Sequence, residues 1–210
     1  MLAINTAFMT ANLALQTKNG NFFKDIDAKS KHSENVLKTI DELCIDAQID
    51  ISEIKVISVV LGPGSFTGLR IGTAIAQALG CFNKNLKYVG VSSLELMAYN
   101  IVKNALNHNK EFYCVINALS DLFFVAKFDK EGNVLNEQKM LNKDEFLALD
   151  GQIFALESDL PKYDLMTIEI TSEDLLEFSN KKASNGDFLA IDQMLPVYLR
   201  ASQAEDNLKC

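Results

Sequence analysis

The chain has 210 residues, of which 48% are hydrophobic and 23% charged, a composition typical of a globular protein. A chain of this length buries most of the surface that its unfolded form exposes, so it needs neither disulfides nor a structural metal to hold a core. Its 20 Lys+Arg against 28 Asp+Glu give a formal net charge of −8, which argues against a protein that holds nucleic-acid phosphates by itself.

The cysteine pattern indicates a reducing compartment. Cys44, Cys81, Cys114 and Cys210 lie far apart without a CxxC pair, and the first three sit in apolar stretches. The apolar N-terminal segment has no lysine or arginine before Lys18 and so lacks the positive region of a signal peptide. Since no uncharged run approaches the ~20 residues that span a bilayer, we expect a cytoplasmic protein without a membrane contact.

Three strands are predicted in the first thirty residues, at Leu2–Thr6, Asn12–Thr17 and Phe22–Asp27, with Asn/Gly-rich turns between them. This order is typical of an antiparallel meander. Ser30 then caps an amphipathic helix. The apolar residues of that helix recur at helical spacing and are Val36, Leu37, Ile40, Leu43, Cys44 and Ala47.

The central unit of the sequence is a strand, a glycine loop and a helix. The β-branched run Lys55–Leu61 predicts the strand, residues Gly62–Gly68 form the loop, and the following helix stops near Gly80. A further strand is predicted at Tyr88–Val91, with a helix running to about Asn104, where the first lobe ends.

The second half repeats this theme with weaker signals. Its strands and helices are predicted at 112–116, 122–128 and 134–140 and around residues 144 and 175. Two runs of strands followed by helix-linked strands predict two related α/β lobes, 1–104 and a smaller 105–210, whose last residues pack back on the first lobe.

The most specific segment is the loop Gly62-Pro63-Gly64-Ser65-Phe66-Thr67-Gly68-Leu69-Arg70. Its three glycines permit unusual backbone conformations, and it opens a helix whose free N–H groups favour anions. Two interpretations stay open, a tight turn or a phosphate site. The candidate phosphate contacts are Gly62, Gly64, Ser65, Thr67 and Gly68.

Standard catalytic and nucleotide motifs do not fit this loop. Thr67 stands where a P-loop needs glycine and no Gly-Lys-Ser/Thr follows, and the dinucleotide pattern fails at the same residue. Pro63 occupies a position that a GxSxG nucleophile elbow centred on Ser65 requires to be glycine. We therefore predict that Ser65 caps the helix and attacks nothing.

The segment GPGSFTGLRIGTAIAQALG, preceded by a β-branched strand, resembles the signature of the TsaB (YeaZ) family, relatives of the glycoprotease-like TsaD. Weaker supporting matches are the N-terminal LAINTA, the helix start His32-Ser33-Glu34, and Pro196-Val197-Tyr198-Leu199-Arg200. The likeness runs along the whole chain and is densest over residues 1 to about 100.

This resemblance implies an α/β protein with the actin/Hsp70-like ATPase fold, in which two ribonuclease-H-like lobes each have a mixed sheet flanked by helices. It also implies a scaffold role in making threonylcarbamoyladenosine in tRNA. TsaD would perform the transfer as the partner in a heterodimer, and the small ATPase TsaE would join the pair. Homodimer formation in isolation, ATP or ADP at the contact with TsaD, and tRNA binding only through the complex are further expectations.

The sequence departs from the family at residues that matter for catalysis. Asn5 stands where the family's first loop has an aspartate, and a neutral amide is a poor ligand for Mg²⁺. His32 lacks the second histidine of an HxxxH metal pair, since Val36 follows it. We predict a non-catalytic chain without an intrinsic cofactor or metal. The alternatives are a nucleotide-binding sensor and a phosphotransferase- or peptidase-like enzyme of the same fold.

The resemblance places the docking surface on the first two helices. The predicted interface residues are His32, Ser33, Glu34, Leu37, Leu69, Gly72, Thr73, Ala76 and Gly80. Gly72, Ala76 and Gly80 recur every four residues as a ridge of small side chains, which suits either a partner helix or the chain's own sheet. The bulkier neighbouring face, with Ile75 and Leu79, suits the core better, and this favours an intersubunit seam.

Overall fold

The computed structural model describes residues 1–26, 32–157 and 159–197, without the side chains of residues 32–34. The chain forms two compact units. The first combines Met1–Ser93 with Ile170–Pro196, and the second is built on Leu94–Glu169. The predicted boundary was residue 104, and the difference arises because the helix after Ser92 belongs with the second unit while a late segment returns to the first.

The elements follow in chain order. They are β1 (Leu2–Asn5), β2 (Ala11–Thr17), β3 (Gly20–Ile26), α1 (His32–Ala47), β4 (Val56–Gly62), α2 (Phe66–Phe82), β5 (Lys87–Ser92), α3 (Ser93–Lys103), β6 (Phe112–Asn117), β7 (Leu122–Phe128), β8 (Lys139–Asn142), α4 (Lys143–Leu147), β9 (Gln152–Leu156), β10 (Met166–Ile168) and α5 (Ser172–Ser184), with short 3₁₀ helices at Ile51–Glu53 and Ile191–Gln193.

The first unit contains a five-stranded mixed sheet in the order β3-β2-β1-β4-β5. The first three strands pair antiparallel, and β1 with β4 and β4 with β5 pair parallel. The predicted meander is confirmed. Parallel neighbours need a crossover, and α2 supplies the one between β4 and β5.

Helices cover both faces of this first sheet. Ile57 and Val59 of β4 lie in one apolar core with residues of α1 and α2, such as Val36 and Ala76. Ser58 between them points the other way and its hydroxyl lies 2.7 Å from that of Ser179 in α5. The period-two alternation of β4 thus separates a face covered by α1 and α2 from a face covered by α5.

The second unit has a mixed sheet in the order β10-β9-β6-β7-β8. Its core includes Phe123 and Phe146, whose rings stack with centroids 4.2 Å apart. The turn between β6 and β7 holds Leu119, Ser120 and Asp121 at φ of 64°, 55° and 56°, a left-handed region that costs energy for residues other than glycine. This turn therefore carries backbone strain.

The predicted fold class is confirmed. Each unit is a mixed five-stranded sheet flanked by helices, as expected for the ribonuclease-H-like lobes of the actin/Hsp70-like ATPase fold. The start of the strand predicted at 134–140 is wrong. Val134 makes only an isolated bridge to Phe128, and strand β8 begins at Lys139. No helix in the described ranges is long and apolar enough to cross a membrane.

Candidate functional site

The glycine loop joins β4 to α2 at the carboxyl end of a parallel strand. Gly62 has φ of +127° and is followed by a cis peptide bond to Pro63. Ser65 is the N-cap of α2, and its hydroxyl accepts a hydrogen bond from Gly68 N at 3.2 Å. The prediction that Ser65 caps the helix is confirmed.

The loop packs closely against the backbone that follows β1. Ser65 N donates to Ala7 O at 2.8 Å, and the Thr6 hydroxyl donates to Gly68 O at 2.6 Å. A Cβ on Gly64 would lie 2.6 Å from Ala7 O, and a Cβ on Gly68 would overlap Thr6 O. These two glycines are needed because the loop approaches the chain's own backbone.

The five candidate phosphate contacts therefore differ in what they already bind. Ser65 and Gly68 hydrogen-bond within the loop and to the β1 end, and Gly64 lies against Ala7. Thr67 is exposed in the first turn of α2, and Gly62 is buried. Their binding of a phosphate stays a prediction.

Asn5 sits at the centre of a buried polar network. Its side chain is fully buried, its Nδ2 donates to Asn12 Oδ1 at 2.7 Å, and its Oδ1 accepts from Ala7 N at 3.0 Å. Asn12 Nδ2 in turn donates to Asp25 Oδ1 and to Ile170 O, each at 2.9 Å. Through Asn12, the buried Asn5 amide thus ties β1 to β2, β3 and the segment before α5.

The described residues contain no group of three His, Cys, Asp or Glu side chains that could hold a metal ion. His108 lies at φ of +47° in the turn after α3. The other histidine, His32, is the first residue of α1. The side chains of His32, Ser33 and Glu34 lie outside the described part of the chain, as do Tyr198 and Arg200.

The ridge of small residues on α2 faces inward. Ala76 is 0% exposed and belongs to the core with β1 and β4. A Cβ on Gly72 would lie 2.8 Å from Thr6 Oγ1 and 3.1 Å from Val59 Cγ1. A Cβ on Gly80 would overlap the Tyr88 hydroxyl and lie 2.6 Å from Ile191 Cδ1. This corrects the inference that the ridge forms an intersubunit seam, since its small side chains admit the chain's own sheet.

A segment after α5 covers the end of this inner ridge. Leu189 N donates to Tyr88 O at 2.9 Å, and Gln77 Nε2 donates to Met194 O at 3.0 Å. Met194 is fully buried in the same core. Burial also raises the pKa of the Tyr88 phenol, which lies beneath Gly80. The chain itself therefore occupies the space that a partner helix would need.

The outward side of α1 and α2 carries exposed apolar side chains. Phe82, the last residue of α2, is 90% exposed, and Ala74 and Ala78 precede it at four-residue spacing on the same exposed side. On α1, Leu37 is 57% and Ile45 73% exposed, eight residues apart. Because α1 and α2 contact each other and cover the same face of the sheet, these five exposed residues lie on neighbouring helices. We name them the α1–α2 face.

Of the predicted interface residues, Leu37 lies on the α1–α2 face. Leu69 and Thr73 are buried in α2, where the Thr73 hydroxyl donates to Leu69 O at 2.9 Å. Gly72, Ala76 and Gly80 are buried as described above. Ile45, Ala74, Ala78 and Phe82 were not among the predicted residues, although an isolated phenylalanine at a helix end could have indicated an outward position.

Comparison with known proteins identifies the family. Residues 25–167 match the family model described as "TsaD: tRNA N6-adenosine threonylcarbamoyltransferase". The tRNA threonylcarbamoyladenosine biosynthesis protein TsaB of Escherichia coli is 26% identical, over 97% of this chain and 96% of that protein. The protein of the same name from Bacillus subtilis is 33% identical over 48% of this chain and 44% of its own length.

The chain belongs to the family whose model is described as TsaD, and it is similar to a TsaB protein over 97% of its length. The resemblance predicted from the glycine loop is confirmed. Among solved structures, YeaZ from Pseudomonas aeruginosa superposes with a TM-score of 0.78 at 21% identity, over 94% of this chain and 98% of that one. The likeness to YeaZ supports the fold described above.

Proposed function

We propose that the chain is a non-catalytic scaffold subunit in tRNA threonylcarbamoyladenosine biosynthesis, which pairs with a TsaD-type transferase through the α1–α2 face. The observation that carries this proposal is Phe82, whose ring is 90% exposed at the end of an outward apolar side of α2. Membership of the TsaD family and similarity to TsaB of Escherichia coli support the biosynthetic role.

The shape of the α1–α2 face suits a helical partner. Ala74 and Ala78 are exposed and small, so a partner helix can approach α2 closely, and the exposed Phe82 of α2 and Ile45 of α1 can serve as bulky anchors. Burying one such side chain is worth about 1.5–3 kcal/mol. A TsaD-type partner of the same domain family would present helices at the equivalent positions, which makes pairing of like faces the favoured arrangement.

The state of Asn5 supports a scaffold in preference to an enzyme. Its amide is fully buried and hydrogen-bonded to Asn12 and Ala7, so it serves the packing of the unit. A catalytic role at this position would need a carboxylate that reaches a metal or a substrate. We expect the purified chain to show no appreciable ATP or peptide hydrolysis.

Pairing with a TsaD-type subunit also determines how the chain would meet tRNA, nucleotide, TsaE and a second copy of itself. With a net charge of −8, the chain meets tRNA through the complex, in the cytoplasm where tRNA is modified. ATP or ADP and the ATPase TsaE would bind at or beside the contact with the TsaD-type subunit. Without that subunit, two copies of this chain would pair through the same face and form a homodimer.

The test is to mix the chain with a TsaD-type transferase and to measure pairing by analytical ultracentrifugation, together with threonylcarbamoylation of tRNA. Phe82→Glu should abolish pairing and lower the activity of the mixture, while circular dichroism stays unchanged. Leu147→Glu is the matched control, because Leu147 is a comparably exposed apolar residue of α4 in the second unit. Normal pairing of Phe82→Glu, or equal loss in both variants, would contradict the proposal.

A further inference from the structure

A second surface of the first unit is basic although the chain is acidic. At the end of the first sheet where β1 and β4 begin, the surface has an open depression of about 540 Å³. It is lined by residues of β2, the first 3₁₀ helix and the chain start. Lys18 and Lys55 lie on opposite sides of it, and both are exposed. We name this depression with its two lysines the lysine groove.

Two more lysines lie at the same end of the sheet. Lys87 begins β5, next to Lys55, whose carbonyl accepts a hydrogen bond from Lys87 N at 3.0 Å. Lys84 lies three residues earlier in the loop from α2. Lys18 follows β2, Lys55 precedes β4 and Lys87 begins β5. With adjacent strands about 4.8 Å apart, these lysines are spread over roughly 15 Å along one end of the sheet. This end of the sheet therefore presents a row of cations.

The lysines of this row are in no ion pair within the described part of the chain. Lys18, Lys55 and Lys84 form no ion pair with any described residue, and Lys87 lies over the Phe188 ring at 4.9 Å. The one carboxylate that lines the groove, Glu53, accepts a hydrogen bond from Asp50 N at 2.9 Å.

The neighbouring Asp50 is also committed to the cap of the 3₁₀ helix. Its Oδ1 accepts from the Ser52 hydroxyl and, at 2.8 Å, from Ser52 N, and these two hydrogen bonds, the first the stronger cause, hold the pKa of Asp50 below its ordinary value. The two carboxylates thus stabilise the local turn, and the four lysines outnumber them by two in attracting an anion from solution.

We propose that the lysine groove binds phosphate groups of an RNA backbone. A row of exposed lysines attracts successive phosphates by charge and releases their counterions. The concave apolar floor, with Leu15, Ile49 and Ile54, admits a sugar or base between two phosphate contacts. The assignment to RNA rests on the proposed function in tRNA modification. The site lies at the strand starts, away from the glycine loop at the carboxyl end of β4.

This proposal agrees with a weak overall affinity for tRNA. The net charge of −8 opposes RNA at long range, whereas screening limits that repulsion to about 10 Å at 0.1 M salt. A local row of four lysines can then hold RNA that a partner has already brought near. The groove would thus orient tRNA in the complex and contribute little to capture.

The test uses the isolated full chain at low salt and follows backbone amide signals by NMR during titration with an RNA hairpin of a tRNA anticodon stem-loop. Expected shifts centre on Thr17, Lys18 and Lys55. The double variant Lys18→Glu/Lys55→Glu should weaken binding at least ~10-fold and reduce the slope of log affinity against log salt by about 2, one unit for each phosphate contact. Lys139→Glu, an exposed lysine of β8, is the matched control.

The outcomes separate this proposal from the pairing proposal, which the ultracentrifugation experiment measures. RNA shifts in the groove with normal or absent pairing support the lysine groove in either case. No shifts there, shifts elsewhere, or equal weakening by Lys139→Glu would overturn it. A parallel titration with AMP and inorganic phosphate decides the source of the phosphate, because equal binding of these small anions would overturn the RNA assignment.

Discussion

The inner and outer faces of α2 carry similarly small side chains in opposite surroundings. Ala76 on the inner face is 0% exposed beneath the sheet, whereas Ala78, two residues on, is exposed to solvent. Both faces repeat every four residues, and both would admit a neighbouring helix or strand at close range. On the inner face that neighbour is the chain's own sheet, and on the outer face no described residue fills the place.

The comparison shows what the small residues are for. Gly72 and Gly80 make room for Thr6, Tyr88 and Ile191, so the inner face is fixed by contacts of the folded unit. The outer face ends in Phe82, which gains nothing from its exposure in the isolated chain. Stability and pairing should therefore respond to different substitutions on one helix.

The largest expected effect is that of Ala76→Arg on folding. The guanidinium would be buried without a partner in the apolar core that contains Ile4. This should lower the free energy of unfolding by more than about 4 kcal/mol. Urea denaturation followed by circular dichroism measures this. Ala78→Arg is the matched control on the outer face and should change stability by less than about 0.5 kcal/mol. Equal stabilities of the two variants would remove the distinction between the faces.

Gly68→Ala should destabilise the unit by about 1–3 kcal/mol, because the added Cβ would overlap Thr6 O and force the loop away from β1. The measurement is the midpoint of thermal unfolding. Thr67→Ala, at the exposed neighbouring position, should leave that midpoint nearly unchanged. A stable Gly68→Ala variant would show that the close approach of loop and β1 is dispensable.

Asn5→Ala should cost about 1–3 kcal/mol, since it leaves Asn12 Oδ1 and Ala7 N without their buried partners. Chemical denaturation gives the value. Asn19→Ala provides a comparison, because Asn19 donates to Ala47 O in a half-buried turn. If Asn5→Ala were as stable as the unmodified chain, the buried amide would have a role other than packing.

Ser65→Ala should have the smallest effect of this series, about 1 kcal/mol, through loss of the hydrogen bond to Gly68 N at the start of α2. Ser65→Asp should restore most of the stability, because aspartate also caps helices and its charge suits the helix N-terminus. Failure of the aspartate to rescue would mean that the serine does not act as a cap.

Much of the fold could be predicted from the sequence. The meander, the β4–loop–α2 unit and the Ser65 cap follow from local patterns, namely strand alternation, turn residues and helix-capping chemistry. β9 and β10 were missed because their short strands lack a clear alternation, and the 170–196 return to the first unit has no local signal.

The orientation of α2 could not be predicted. Helical spacing shows that Gly72, Ala76 and Gly80 share a side, but not which side faces the sheet. That choice depends on contacts far apart in sequence, such as the Gln77 amide with Met194 O and the Thr6 hydroxyl with Gly68 O. The bulkier Ile71, Ile75 and Leu79 do lie in or against the core as expected, but Gly72 and Ala76 lie there too because the close sheet contact needs the smallest side chains.

The most direct test of the account is the affinity of Ala78→Arg for a TsaD-type transferase, measured by isothermal titration calorimetry. Ala78 lies at the middle of the outer face, so an arginine there should keep the partner helix at a distance and weaken pairing at least ~100-fold, or ~2.8 kcal/mol at ~1.4 kcal/mol per tenfold. The free energy of unfolding should stay unchanged. Unaltered affinity in a folded Ala78→Arg variant would contradict the account, because pairing would then use another surface.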